Sequence, residues 1–200
     1  MSKTQIVLAT RNKKKLKELQ EILGEEFEIL TLDSFPNSPE VIEDGKTFAA
    51  NALKKATEIF QHTKITAIAD DSGLEVDALN GEPGVYSARF SGENATDEEN
   101  NALLLKKLEG IPETERTARF RCCIAVVGEK VKETFEGSVE GTILLAPFGK
   151  NGFGYDPLFF VKTHTSTFAQ IPPKIKNQIS HRGNALRELF LSLEKIKELI

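Results

Sequence analysis

Two adjacent carboxylates, Asp70 and Asp71, follow the apolar run ITAIA and are followed at once by Ser72 and Gly73. If ITAIA is a short buried strand, both acids sit where it leaves the core, the end of an open α/β sheet at which ligands usually bind. Neighbouring negative charges repel, so either solvent on an ordinary Asp-Ser-Gly turn or a cation in a site must compensate them. Two further acids, Glu43 and Asp44, lie in VIEDG, just ahead of a helical pattern. Acids there favour the helix dipole or cap the helix. If the fold brings them to Asp70 and Asp71, the cluster suits magnesium, which takes few carboxylates and completes its shell with phosphate and water.

Cations that could meet phosphates stand at two helix starts. The strand-like run at 6–9 leads into the polar turn Thr10, Arg11, Asn12, Lys13, Lys14 and Lys15, and KKKLKELQEIL then repeats apolar residues at Leu16, Leu19, Ile22 and Leu23. A helix start exposes unpaired N–H groups and a positive dipole end, a natural anion pocket. At 100° per residue, Asn12 and Lys15 fall on the side of the leucine stripe, Lys14 points away and Lys13 lies between. An inward lysine is costly unless an anion meets it. Asn12 and Lys15 are therefore the candidates for phosphate contact, and Lys14 a surface charge. The glycines and the GK[ST] ending of a Walker A loop are absent. A second helix over 47–60 buries Phe48, Ala52, Ala56 and Ile59, with Lys55 on the flank of that face one turn after Asn51, and Lys54 outward. Lys55 either reaches a ligand or snorkels over apolar surface.

Nearer the C-terminus, GKNGFGYDPLFF places glycines and aromatics before a strand-like run. Glycines permit close backbone approach, and Phe153 or Tyr155 could stack on a base or, alternatively, enter the core from a hairpin turn. Lys176, His181 and Arg182 gather around Ser180, an N-cap for a helix through Leu186, Leu189, Phe190, Leu193 and Ile196. A basic trio at a helix start opposes the dipole, which favours a ligand role.

The remaining composition limits the partners. A net charge of -4 argues against a general nucleic-acid binder. No segment has the length of a membrane span, and the N-terminal apolar run is too short for a signal peptide, so a cytoplasmic protein is expected. Cys122 and Cys123, adjacent in a strand-like run, point to opposite faces and read as reduced core residues. Together with His62, His164 and His181 they lack zinc-ligand spacing.

Five segments in order, VLATRNKKKLKEL, EDGKTFAANALKKA, AIADDSGLEVDALNGEPGVYSARFSG, GFGYDP and SHRGNAL, resemble the inosine triphosphate pyrophosphatase or Ham1-like family. The resemblance implies an α/β fold: an elongated mixed sheet with flanking helices, a single domain over 1–200 with two lobes around a substrate cleft. It also implies a homodimer that uses Mg2+ to hydrolyse ITP, dITP and XTP to the monophosphate and pyrophosphate. By position, Thr10, Arg11, Asn12, Lys13, Lys14 and Lys15 match the phosphate-binding turn, with Lys55 and Ser72 as further substrate contacts. Glu43 and Asp71 match the metal-site acids, and Asp71 the catalytic base. Phe153, Gly154, Tyr155 and Asp156 match the base-binding loop, and Lys176, His181 and Arg182 the remaining substrate positions.

Hypoxanthine and xanthine present a 6-keto acceptor where adenine has an amino donor. A pocket lined by Lys176, Arg182 and a donating His181 would therefore disfavour ATP. One position departs from the family pattern TFxENAxxKA: Ala50 stands where Glu is common. On the wheel it points away from the apolar face, where a Glu could reach metal, water or a lysine. Its loss makes a nucleotide-binding protein with little turnover the alternative reading.

Overall fold

The structure, a computed structural model, describes residues 3–23, 26–192, 194 and 196 of the 200-residue chain. It contains β1 (Thr4–Leu8), α1 (Lys13–Leu23), β2 (Phe27–Thr31), α2 (Phe48–Thr63), β3 (Ala67–Val76), α3 (Asp97–Lys107), β4 (Thr117–Val127), β5 (Lys132–Ile143), β6 (Phe159–Val161), β7 (Ser166–Thr167), α4 (Pro173–Ile179) and α5 (His181–Leu191). The seven strands form one sheet in the order β2-β1-β3-β4-β5-β6-β7. It is mixed, because β1 runs parallel to β2 and β3, whereas β6 runs antiparallel to β5 and β7. The expected position Leu193 lies outside the described residues. Among the described residues no helix is long and apolar enough to cross a membrane.

By its contacts the chain divides into two compact units, one from residues 1–71, 123–136 and 185–200, the other from 72–122 and 137–184. In the first, Ile6, Val7 and Leu8 of β1 and Ala67, Ile68 and Ala69 of β3 are buried. Strands enclosed on both faces read as continuous apolar runs, as parallel sheets require. Helix α1 buries Leu19 and Leu23, and α2 buries Phe48, Ala52, Ala56 and Ile59, the stripes expected from the helical period. Thr47 caps α2 by accepting the Ala50 N–H, and Lys64 ends it in a left-handed conformation.

The second unit has its own core, in which Leu74, Val76, Leu104, Leu108, Phe120, Ile143, Tyr155, Leu158, Phe159 and Phe168 are buried. The Phe120, Phe159 and Phe168 rings pack with centroids 4.7 to 6.0 Å apart. Thr96 and Glu99 close a capping box at the start of α3, which satisfies N–H groups that the first turn leaves unpaired. Cys122 and Cys123 are buried thiols in β4.

The strand carrying the paired aspartates does not stop at them. β3 runs on through Asp70, Asp71, Ser72 and Gly73 to Val76, so the carboxylates are mid-strand rather than at a strand end. Asp, Ser and Gly are poor strand formers, but such propensities yield to tertiary context. Here apolar burial resumes at Leu74 and Val76, and each aspartate meets a partner on its own face.

Candidate active site

Side chains alternate along a strand, so Asp70 and Asp71 leave β3 on opposite faces. Asp70, 1% exposed, has Oδ2 3.3 Å from Lys15 Nζ. Asp71, 4% exposed, accepts from Asn51 Nδ2 at 2.9 Å and has Oδ1 3.8 Å from Lys55 Nζ. The Lys55 ammonium also donates to Glu43 Oε1 at 2.8 Å and to the Asp70 carbonyl at 2.7 Å. Glu43 and Asp71 thus converge on one cation, and Lys55 is a buried participant rather than a snorkelling surface residue. Lys54, one position away, pairs with exposed Asp44 at 2.7 Å. The helical wheel separates the two lysines as the structure does.

Electrostatics follow from this burial. Loss of water pulls the Lys55 ammonium down, but Asp71, Asp70 and Glu43 more than offset it, and its pKa rises. For Asp71, burial pushes the carboxyl up, and Glu43 adds to that. The opposing pull of Lys55, Lys15 and the Asn51 hydrogen bond is smaller, so the net direction is upward. A carboxylate in that position is a stronger base than one in water.

The turn before α1 is organised from within. Asn12 Oδ1 accepts the Lys14 and Lys15 N–H groups at 3.0 and 3.3 Å, and its carbonyl accepts from Leu16 N–H. Asn12 is therefore the N-cap, and its carboxamide oxygen takes two of the N–H groups that the sequence left open for an anion. Thr10 Oγ1 accepts the Asn12 N–H, and Arg11 donates to Ser38 O and Oγ at 3.3 and 3.1 Å. Lys13 and Lys14 are exposed, whereas Lys15 is turned inward.

In the second unit, Ser72, Phe153, Asp156, Lys176, His181 and Arg182 each have a defined partner. Arg182, 2% exposed, donates from Nη2 to Ser72 Oγ at 3.1 Å. Lys176 donates to Asp156 Oδ2 at 2.6 Å and lies 4.8 Å from the Phe153 ring centroid. Asp156 Oδ2 also accepts the Phe153 N–H at 2.8 Å. The His181 ring stacks on Phe120 at 4.7 Å. Tyr155 enters the core and donates to Ser87 O at 2.9 Å; burial and the Asp97 charge push its phenol up. Phe153, by contrast, is only half-buried.

One expectation changes here. Lys176 does not share a helix start with His181 and Arg182: it lies in the last turn of the separate short helix α4, where a cation suits the dipole. Ser180 still caps α5, its Oγ accepting the Gly183 N–H at 3.1 Å. Three residues given no role from the sequence also belong to these networks. Asn51 is fully buried between Asp71 and the Gly45 N–H, and its place one turn before Lys55 was the available signal. Asp97 and Asn101 bond Gly154 from more than fifty positions away, and no local pattern signals that.

Among the described residues no group of three or more His, Cys, Asp or Glu is placed to hold a metal. Glu43 and Asp71 both meet the Lys55 ammonium, at 2.8 and 3.8 Å, and two carboxylates completed by phosphate and water are a donor set that suits magnesium. Ala50 is exposed on the first turn of α2, and the network of Glu43, Lys55, Asn51 and Asp71 is made without it.

The chain is similar to known proteins over nearly its whole length. A dITP/XTP pyrophosphatase of Geobacter sulfurreducens is 58% identical over 92% of this chain and 93% of its own. One from Desulforamulus reducens is 52% identical over 96% of each. A solved HAM1 protein from Coxiella burnetii superposes with a TM-score of 0.88 at 43% identity, over 96% of this chain and 99% of its own. The Ham1 family model matches residues 6–191, and the chain belongs to the Ham1 family.

Proposed function

We propose that this chain hydrolyses ITP, dITP and XTP to the monophosphate and pyrophosphate, with Mg2+ as cofactor. The observation that carries the reading is the convergence of Glu43 and Asp71 on Lys55, with Lys15 beside Asp70. Buried opposite charges in this number suit a highly charged substrate and are an expensive way to stabilise a fold. Glu43 and Asp71 would hold the magnesium ion, which when bound offers positive charge to the phosphate oxygens.

The chain's own residues do the rest. Lys15 and Lys55, with the turn Thr10 to Lys15, neutralise and orient the triphosphate, because phosphoryl chemistry is catalysed mainly by positioning and electrostatics. Asp71 takes a proton as water attacks the α-phosphorus. The new bond joins water oxygen to that phosphorus, the bond to the bridging oxygen breaks, and pyrophosphate leaves. Ser72, Lys176, His181 and Arg182 are the base and sugar contacts, and Phe153 stacks on the purine. The donors Lys176 and Arg182 match a 6-keto oxygen and would face the adenine amino group unpaired, costing about 1–3 kcal/mol.

Binding without turnover has no observation in its favour: Ala50 is exposed, and relatives sharing more than half of this sequence are named for turnover. A cytoplasmic homodimer of one two-lobed domain completes the reading, and its mass in solution checks the dimer. Incubation with ITP and Mg2+ should release IMP and pyrophosphate, and a chelator should stop it. Release of single phosphates would overturn the mechanism, as would tight ITP binding with no product.

A further inference from the structure

The loop that receives the base in this reading is held by a helix to which the proposed chemistry gives no role. Asp97 and Asn101 lie four positions apart on α3 and so leave the same face of the helix. Asp97 Oδ2 accepts the Gly154 N–H at 2.9 Å, and Asn101 Nδ2 donates to the Gly154 carbonyl at 2.9 Å. One residue is gripped through both of its peptide groups, once by a charged acceptor. Gly154 holds φ +60°, a left-handed conformation that glycine adopts readily.

The Asn101 amide carries a second sign of this hold. A carbonyl only accepts, so the nitrogen must face Gly154, and Asn101 Oδ1 is then buried with no hydrogen-bond partner among the described residues. Buried polar atoms almost always find partners, and this one is given up to keep the amide on Gly154. The flanking residues are fixed by other means, Phe153 N–H by Asp156 and the Tyr155 hydroxyl by Ser87 O.

We propose that Asp97 and Asn101 are positioning residues for purine selection: by fixing the Gly154 peptides they set where Phe153 and the adjoining backbone meet the base. This rests on residues 153–156 being the base-binding loop.

The test compares Asp97→Ala, Asn101→Ala, the isosteric Asp97→Asn and Asn101→Asp, and Phe153→Ala as a reference for the loop. Steady-state kinetics with ITP and GTP are paired with amide hydrogen exchange of the peptide containing Gly154. Asp97→Ala and Asn101→Asp should raise KM for ITP about tenfold, leave kcat within about twofold, narrow the ITP-to-GTP preference and speed exchange at the loop. Asp97→Asn keeps an oxygen that can accept from Gly154 and should recover most of the KM, which a purely electrostatic or global effect would not allow. Unchanged exchange in both Asp97→Ala and Asn101→Asp would overturn the hold itself. An unchanged KM in these variants, beside a raised KM in Phe153→Ala, would overturn their part in selection. An unchanged KM in Phe153→Ala would remove the base-loop reading and the proposal with it. If an alanine variant fails to fold, the two isosteric variants decide the matter.

Discussion

Glu43, Asp70, Asp71, Lys15 and Lys55 come from or beside regular elements, and they are ordered by charges that neutralise one another. Residues 153–156 belong to no strand or helix, and they are ordered by hydrogen bonds from α3 and by the Asp156 to Lys176 pair. The first arrangement sets charge against charge at the cost of desolvating it; in the second, Asp97, Asn101 and Asp156 direct their polar atoms onto the loop's backbone. Positioning of phosphate calls for the one, and recognition of a planar base for the other. Substitutions should therefore fail differently in the two regions, turnover suffering in the first and KM in the second.

The largest effect is expected from Asp71→Asn, which keeps the volume but removes the charge needed by a base or a metal ligand. Turnover of ITP should fall at least about a hundredfold with the fold retained, as followed by pyrophosphate release and thermal unfolding. Near-parent turnover would transfer the role to Asp70. Lys55→Met tests the same region through stability. It leaves Glu43 and Asp71 facing each other without their cation, and removal of one partner from a buried network costs about 3 kcal/mol, roughly 10 °C in Tm for a chain of this size. If those two acids hold magnesium, added Mg2+ should raise the Tm of Lys55→Met more than that of the parent. Equal shifts would remove them as the metal ligands.

The two regions also differ in how far the sequence discloses them. Periodicity alone separates Lys15 from Lys14 and Lys55 from Lys54, because helix geometry fixes which side chains turn inward. It fails at β3, where the local preferences of Asp, Ser and Gly argue for a turn and the partners on Lys15, Asn51 and Lys55 decide otherwise. It misses α4, a seven-residue helix too short for a periodic signal. The glycine loop is visible as composition, but its conformation depends on Asp97 and Asn101, and contacts across such separations leave no local trace.

An intermediate effect is expected from Gly152→Ala. Gly152 has φ +75°, and a Cβ there would land on the Asp156 carboxylate, the group that holds both Phe153 N–H and Lys176. Gly154→Ala meets nothing within 4 Å and suffers only its backbone strain at φ +60°, about 1–2 kcal/mol. KM for ITP should rise about tenfold in Gly152→Ala and less in Gly154→Ala, with kcat falling less than KM rises in both. A dominant loss of kcat in Gly152→Ala would mean that this loop serves the chemistry, and the contrast between the regions would collapse.

The smallest effect concerns Ala50, which is exposed at the third position of α2 after its N-cap Thr47. Thr47 Oγ1 already accepts the Ala50 N–H, so Glu at position 50 would complete a capping box by reaching back to the Thr47 N–H. That offers a structural reason for Glu at this position, separate from any reach toward metal or water. Glu and Gln can both close the box, but only Glu adds a charge near the phosphate site and at the positive end of the helix dipole. Ala50→Glu and Ala50→Gln should each add about 0.5–1 kcal/mol of stability, seen as a Tm rise of a few degrees. If the position serves only the helix, ITP turnover stays at the parent rate in both. A rise in turnover with Glu and none with Gln, at similar Tm, would give the charge a part in catalysis and extend the carboxylate cluster from Glu43 and Asp71 onto the first turn of α2.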